Sequence, residues 1–129
     1  MSSPQSVEEL LLNWGARIGA AAFLDGVKAS QLENILATLD VFEGREALLL
    51  TALFAQRQAK RLRSGESMAR VVRQAMLDLY EKNLSKKEAR EMLGIAKWVY
   101  EALQGSGVKL TGSQLDKLSL HELLKLYRR

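Results

Sequence analysis

The sequence predicts an all-α protein, a compact bundle of about five helices followed by a short C-terminal helical appendage. Apolar residues recur at steps of three and four through most of the 129 positions, which is the spacing of one helix face. The only proline, Pro4, lies before the first predicted helix. Four serines each precede a glutamate by three residues ahead of an apolar run, the pattern of a capping box. These pairs are Ser6/Glu9, Ser30/Glu33, Ser85/Glu88 and Ser119/Glu122.

The first two predicted helices cover residues 6–24 and residues 30–42. The first carries an apolar stripe with Trp14 at its centre, so we expect that tryptophan in the core. The second begins at Ser30 and ends at about Phe42, because Gly44 follows it.

The third predicted helix spans residues 45–64, and a fourth starts at Ser67. Residues 47–55 are apolar nearly all round, which indicates burial on more than one side. Only Gly65 and Glu66 join the two helices, so they are expected to pack as antiparallel neighbours.

The fifth predicted helix spans residues 85–104, and Gly105-Ser106-Gly107 reads as a flexible joint. The sequence therefore divides into a bundle domain (1–104), a joint (105–110) and a short C-terminal helical extension (111–129) that ends in Arg128-Arg129. The inward face of the fifth helix is predicted to consist of Ala89, Met92, Leu93, Ala96, Val99, Tyr100 and Leu103.

The composition excludes several kinds of chemistry. With 47% hydrophobic and 26% charged residues the chain is typical of a globular protein. The chain has no cysteine and a single histidine, which argues against disulfides, thiolate metal sites and thiol catalysis. We expect no enzyme activity, no metal and no cofactor. Because no signal sequence or membrane-spanning run is recognisable, we expect a cytoplasmic protein with no membrane partner.

Positive charge is concentrated in the middle of the chain. Residues 57–97 carry eleven basic and five acidic groups, whereas residues 1–56 carry three basic and seven acidic groups. Helical geometry places the basic side chains opposite the apolar stripes of the third and fourth helices, at one corner of the bundle. A polyanion-binding surface and an ordinary solvated face both fit this pattern. The candidate residues are Arg57, Lys60, Arg61, Arg63, Arg70 and Arg73.

Trp98 projects away from the apolar centre of the fifth helix. A base-stacking platform, a contact with another subunit, and cover for the C-terminal appendage are the three roles open to it.

Residues 85–105 allow a second functional hypothesis. Glu88-Ala89 and Met92-Leu93-Gly94-Ile95 are similar to the first helix and turn of an excisionase-type helix-turn-helix. In that case the protein is a small DNA-binding regulator that uses Lys97 and Trp98 in the major groove. An adaptor between proteins, with no role in nucleic-acid binding, is the third hypothesis.

The order of motifs over residues 7–104 carries a family resemblance. An amphipathic helix is followed by Ser30-Gln31-Leu32, then by a leucine run at residues 48–50 that leads into aromatic, alanine and basic residues up to Arg61. Residues 95–103 form a closing helix of small, aromatic and acidic residues. In this order the chain resembles the small subunit of type III CRISPR effector complexes, the Csm-type small subunit in particular.

The resemblance implies a non-catalytic helical bundle that stacks in several copies along the guide RNA and the target RNA, beside other effector-complex subunits. Basic residues would hold the RNA backbone, and base pairing between guide and target would read the sequence. Arg57, Lys60 and Arg61 fall on the family's basic stretch after the leucine run. Arg63, Arg70 and Arg73 are added by helix geometry alone.

Overall fold

The structure, a computed structural model, describes residues 5–127, so Pro4 and the pair Arg128-Arg129 lie outside the described residues. Within that range the chain forms seven helical segments and no strand, which confirms the all-α prediction. Five of them make a compact bundle, as expected. The segments are α1 (Val7–Asp25), α2 (Ala29–Thr38), α3 (Glu46–Leu62), α4 (Glu66–Glu81), α5 (Lys86–Leu103), a 3-10 helix (Gly112–Lys117) and α6 (Leu120–Lys125).

Three of the four predicted helix starts are confirmed. The hydroxyl oxygens of Ser6 and Ser119 each accept a hydrogen bond of 3.1 Å from the backbone N–H three residues further on. At α5 the cap is reciprocal, because the carboxylate of Glu88 also accepts a hydrogen bond of 2.8 Å from the backbone N–H of Ser85. These contacts satisfy backbone donors that have no partner inside the helix.

The start predicted at Ser30 is wrong. α2 begins one residue earlier, and its first turn is closed by the backbone N–H of Lys28, which donates a hydrogen bond of 2.8 Å to Oε1 of Gln31. Glu33 takes no part in capping, since its carboxylate lies 3.2 Å from the ammonium of Lys97 on α5. Gln31, and not Glu33, therefore closes the first turn of α2.

The end of α2 also differs from the prediction. The helix stops at Thr38 instead of near Phe42. Asp40 forms an ion pair with Arg90 of α5, and the ammonium of Lys86 donates a hydrogen bond of 2.9 Å to the carbonyl oxygen of Phe42. These contacts hold residues 40–42 against the first turns of α5, so the chain leaves the helix before the local apolar pattern ends.

α1 and α5 pack side by side at very short range because α1 carries two glycines at the contact. A Cβ atom at Gly15 would lie 2.6 Å from Cγ2 of Ile95, and one at Gly19 would lie 2.6 Å from the carbonyl oxygen of Ala96. Gly19 follows Gly15 by about one turn of α1, and its neighbour Ala96 also lies further along α5 than Ile95, the neighbour of Gly15. The two helices therefore run parallel. The glycines allow a separation that no larger side chain permits.

α5 is one continuous helix, which contradicts the helix-turn-helix hypothesis for residues 85–105. Gly94, the residue expected at the turn, lies inside the helix. One interior glycine costs only about 1 kcal/mol relative to alanine, and the apolar stripe runs through it without a break. The buried residues of α5 are those that the periodicity predicted, namely Ala89, Met92, Leu93, Ala96, Val99, Tyr100 and Leu103.

The C-terminal segment packs on its own bundle. Nε of Arg17 on α1 donates a hydrogen bond of 2.8 Å to the carbonyl oxygen of Leu118, and Oδ1 of Asn13 accepts one of 3.1 Å from the backbone N–H of Leu120. Gly105 and Gly107 both adopt positive φ angles and form a turn where a flexible joint was predicted. The joint adds one buried residue to the core of the bundle and the segment adds three, namely Val108 from the joint and Leu115, Leu118 and Leu123 from the segment.

Trp14 lies at the edge of the core and is half-buried, so the prediction of a core tryptophan is only partly correct. Its indole N–H donates a hydrogen bond of 2.8 Å to Asp78 of α4, and the guanidinium of Arg17 stacks 4.9 Å from its ring centre. Partial burial lowers the pKa of Arg17, while the carboxylates of Asp116 and Asp78 act in the opposite direction. This cluster anchors the C-terminal segment to α1.

Candidate nucleic-acid interface

The second half of α3 presents three exposed basic side chains, those of Arg57, Lys60 and Arg61. They are exposed because the opposite face of the helix is occupied by small buried residues that pack on the bundle. No ion pair of the described residues involves any of the three. Their charges therefore face solvent. The buried residues that turn them outward include Ala52, Ala55 and Ala59.

Arg63 lies where the chain turns from α3 into α4. It has a left-handed backbone conformation, with φ of 52°, and its side chain is exposed. Glycine is the usual residue at this position after a helix, and a side chain there costs roughly 1–2 kcal/mol. The turn is closed by the backbone N–H groups of Arg63 and Ser64, which both donate to the carbonyl oxygen of Ala59. This geometry places Arg63 at the tip of the hairpin formed by α3 and α4.

The hairpin is fixed to the bundle through α4. Oδ2 of Asp25, the last residue of α1, accepts a hydrogen bond of 2.8 Å from the backbone N–H of Met68 in the first turn of α4. Glu66, the one acid among residues 57–73, lies exposed at the start of this helix, where a negative charge is favourable. α4 begins at Glu66 and not at the predicted Ser67.

Arg73 faces α3 across the hairpin. Its Nη1 atom donates a hydrogen bond of 2.7 Å to Oε1 of Gln56, and the side chain is exposed. Because glutamine is neutral, this contact orients the guanidinium without cancelling its charge. Arg73 is thus held beside the helix that carries Arg57, as helix geometry predicted for the two helices.

Arg70 lies about one helical turn before Arg73 on α4, and its side chain is turned towards the C-terminal segment. Its Nη1 atom lies 2.9 Å from Oδ1 of Asp116 in the 3-10 helix. The two side chains are 37% and 65% exposed, so the ion pair is formed at the surface. Of the six predicted residues, Arg70 is the one whose charge is paired with a carboxylate. No local pattern indicates this pairing, because residues 70 and 116 meet only after the C-terminal segment has docked.

The structure adds one cation that the charge pattern of the sequence did not single out. Lys28 is exposed at the start of α2, directly after Val27. A Cβ atom at Gly65 would lie 3.1 Å from Cγ1 of Val27, so the start of α2 lies against the turn between α3 and α4. Lys28 therefore belongs to the same end of the bundle as Arg63. We call Arg57, Lys60, Arg61, Arg63, Arg70, Arg73 and Lys28 the basic hairpin surface.

Trp98 lies apart from this surface. It is 75% exposed, the highest value among the large apolar side chains of the described residues. The C-terminal segment reaches α5 where the hydroxyl of Tyr127 donates a hydrogen bond of 2.7 Å to the carbonyl oxygen of Ala102, but Trp98 stays uncovered. The hypothesis that Trp98 serves as cover for the C-terminal appendage is therefore wrong.

No family model, curated protein or solved structure matches this chain. Among residues 5–127, no three histidine, aspartate or glutamate side chains lie together as a possible metal site. In the same part of the chain, no helix has the length and apolar content needed to cross a lipid bilayer.

Proposed function

We propose that this protein is a non-catalytic RNA-binding structural subunit of a type III CRISPR ribonucleoprotein effector complex. In this proposal the basic hairpin surface holds the backbone of guide and target RNA and does not read their sequence. The proposal is supported by the order of motifs over residues 7–104, which resembles that of the small-subunit family. Other effector-complex subunits, and further copies of this chain along the RNA, are the proposed partners, and the cytoplasm is the proposed location.

The observation that carries the proposal is that most cations of the basic hairpin surface are not neutralised by a carboxylate of the described residues. Arg57, Lys60, Arg61 and Arg63 are exposed and form no ion pair within residues 5–127, and Arg73 is oriented by a neutral glutamine. Guanidinium groups of this kind can each hold a phosphate through two parallel hydrogen bonds. Contacts to phosphates give binding that depends strongly on salt and little on sequence.

A titration at two salt concentrations tests the proposal. Labelled single-stranded RNA of about 40 nucleotides, duplex RNA and duplex DNA are each titrated with the full chain at about 50 mM and about 200 mM salt. We expect sequence-tolerant RNA binding that weakens steeply with salt, with a log–log slope of about −0.7 for each phosphate contact. A preference for duplex DNA, or no binding to any of the three at low salt, contradicts the proposal.

A matched pair of triple variants assigns the binding to the surface. In the first, Arg57, Lys60 and Arg61 are changed to alanine, and in the second, Lys87, Lys109 and Lys125 are changed. Both sets are exposed, and both remove three positive charges from a net charge of +4. The first variant should reduce the magnitude of the slope by about 2, since three contacts are lost, and the second should change it little. Equal effects would mean that only the total charge matters, and would refute the assigned surface.

A further inference from the structure

An open apolar groove lies between the first half of α1 and the middle of α5, with a volume of about 620 Å³. Its lining is mainly apolar, and the groove contains none of the residues of the basic hairpin surface. A groove of this kind on an exposed helix pair is typical of sites for another protein segment. The lining residues are Glu8, Leu11, Leu12, Glu91, Gly94, Ile95 and Trp98.

Gly94 leaves an open space in this groove, and no contact inside the molecule requires a glycine at this position. A Cβ atom at Gly94 would have no neighbour within 4 Å, whereas Cβ atoms at Gly15 and Gly19 would collide with α5. Glycine inside a helix is unfavourable relative to alanine. The residue therefore gives up helix stability without any packing gain in the isolated chain. The space it leaves can receive a side chain from outside.

The two ends of the groove differ in chemistry. Trp98, two helical turns after Glu91, is the large exposed apolar side chain at one end. Because α1 and α5 run parallel, Glu8 and Glu91 both lie towards the other end, and they are the only charged residues in the lining. The acidic end repels phosphate groups, so nucleic acid does not suit this site.

We propose that the groove binds an amphipathic helix of a separate partner protein. A large apolar side chain of that helix enters the space above Gly94 and packs on Trp98, and lysine or arginine residues one or two turns away face Glu8 and Glu91. This is the helix-in-groove mode of recognition, in which apolar anchors supply affinity and charges on the rim fix the direction.

A second copy of the chain is the other possible occupant. Its helix α3 presents an exposed apolar side chain, Leu53, one turn before a basic one, Arg57, as the proposed partner helix does. That docking would cover cations which the proposed function assigns to RNA, so we assign the groove to a different protein. The choice between these two occupants rests on the proposed function. The assignment of the groove as a binding site does not depend on that function.

The probe is a displayed library of helical peptides of about 18 residues, long enough to form a stable helix, with one randomised face. It is selected on the full chain and counter-selected on Gly94→Leu. This variant fills the groove and removes an interior glycine, so its unfolding midpoint should not fall. We expect the enriched peptides to share a large apolar anchor with lysine or arginine one or two turns away.

Synthetic versions of the enriched peptides are then titrated against variants of the chain. Trp98→Ala and Gly94→Leu should each weaken binding by about tenfold or more, as expected for a central anchor site. The double variant Glu8→Lys with Glu91→Lys should also weaken it. The matched control is Leu53→Ala, which removes a leucine that is 65% exposed outside the groove and should have no effect.

Three outcomes overturn the proposal. The first is a library that yields no enriched peptides. The second is a set of enriched peptides that are acidic, or that bind Gly94→Leu as well as they bind the parent chain. The third is self-association of the parent chain, measured by sedimentation velocity, that Gly94→Leu abolishes. The last would assign the groove to a second copy. Absence of RNA binding by the parent chain in the salt titration refutes only the proposed function, because the groove contains none of the residues of the basic hairpin surface.

Discussion

Asp116 accepts a hydrogen bond of 2.9 Å from Arg70, and this contact joins the C-terminal segment to the basic hairpin surface. An ion pair with both partners partly exposed contributes little to stability, about 0–1 kcal/mol. Its effect on the local charge is larger, because it neutralises one of the six cations that the sequence singled out. The C-terminal segment therefore modifies the surface that we propose to hold RNA.

Asp116→Asn should tighten RNA binding. The change leaves the charge of Arg70 uncompensated, and since the pair is worth at most about 1 kcal/mol, the gain in affinity should reach no more than about fivefold at low salt. Fluorescence anisotropy with labelled single-stranded RNA measures it. Glu101→Gln, an exposed acid on α5 with the same change of charge, is the control. Equal gains in both variants would show that Arg70 has no special role.

Gly19→Ala should destabilise the protein, whereas Gly94→Ala should stabilise it. A Cβ atom at Gly19 would lie 2.6 Å from the carbonyl oxygen of Ala96 and 2.7 Å from Cβ of Val99, so one helix must shift. We expect a loss of about 1–3 kcal/mol in the free energy of unfolding. At Gly94 no atom is in the way, and the gain in helix propensity should be about 1 kcal/mol. Urea unfolding measures both, and shifts of the same sign would contradict the close contact described between α1 and α5 at Gly19.

Leu115→Ala should destabilise the whole protein and not only the C-terminal segment. Leu115 is 1% exposed and belongs to the core of the bundle, so the cavity should cost about 2–5 kcal/mol. Leu124→Ala, at a position that is 58% exposed, should change the free energy of unfolding by no more than about 0.5 kcal/mol. If the segment instead unfolds in a separate step at low denaturant, the single core described above is wrong.

Stability should fall in acid partly through the cap of α5. The carboxylate of Glu88 accepts hydrogen bonds from the hydroxyl and from the backbone N–H of Ser85. Both lower the pKa of this carboxyl, and the bond from the hydroxyl has the larger effect. Its folded pKa thus lies below the unfolded value of about 4.3. The stabilisation is complete above that value and is lost as the pH falls through the folded pKa, because the unfolded chain binds more protons in between.

Glu88→Gln should therefore reduce the rise of the unfolding free energy with pH in the acid range, from below the folded pKa of this carboxyl up to its unfolded value. Urea unfolding at a series of pH values measures the slope. Glu91→Gln is the control on the same helix, since its carboxylate receives no hydrogen bond within residues 5–127. An unchanged slope in Glu88→Gln, or an equal change in both variants, would contradict the role given to the cap.

Helix geometry alone allowed part of the candidate surface to be predicted from the sequence. Positions such as Arg57 and Arg61 could be placed outside because the apolar residues of the same helix define its buried face. The pairing of Arg70, the orientation of Arg73 by Gln56 and the position of Lys28 depend on contacts between segments that are far apart in the chain. No local pattern encodes such contacts, so they could not be predicted.

The sequence by itself determined the helical class, most helix starts and the inward face of α5. These depend on interactions within about one helical turn, such as the serine caps and the apolar spacing. Only the tertiary structure decided the early end of α2, the parallel contact of α1 with α5 through Gly15 and Gly19, and the docking of the C-terminal segment through Arg17. The reason is physical: each of these depends on atoms that become neighbours only when distant segments pack together, and the packing energy outweighs the local preference.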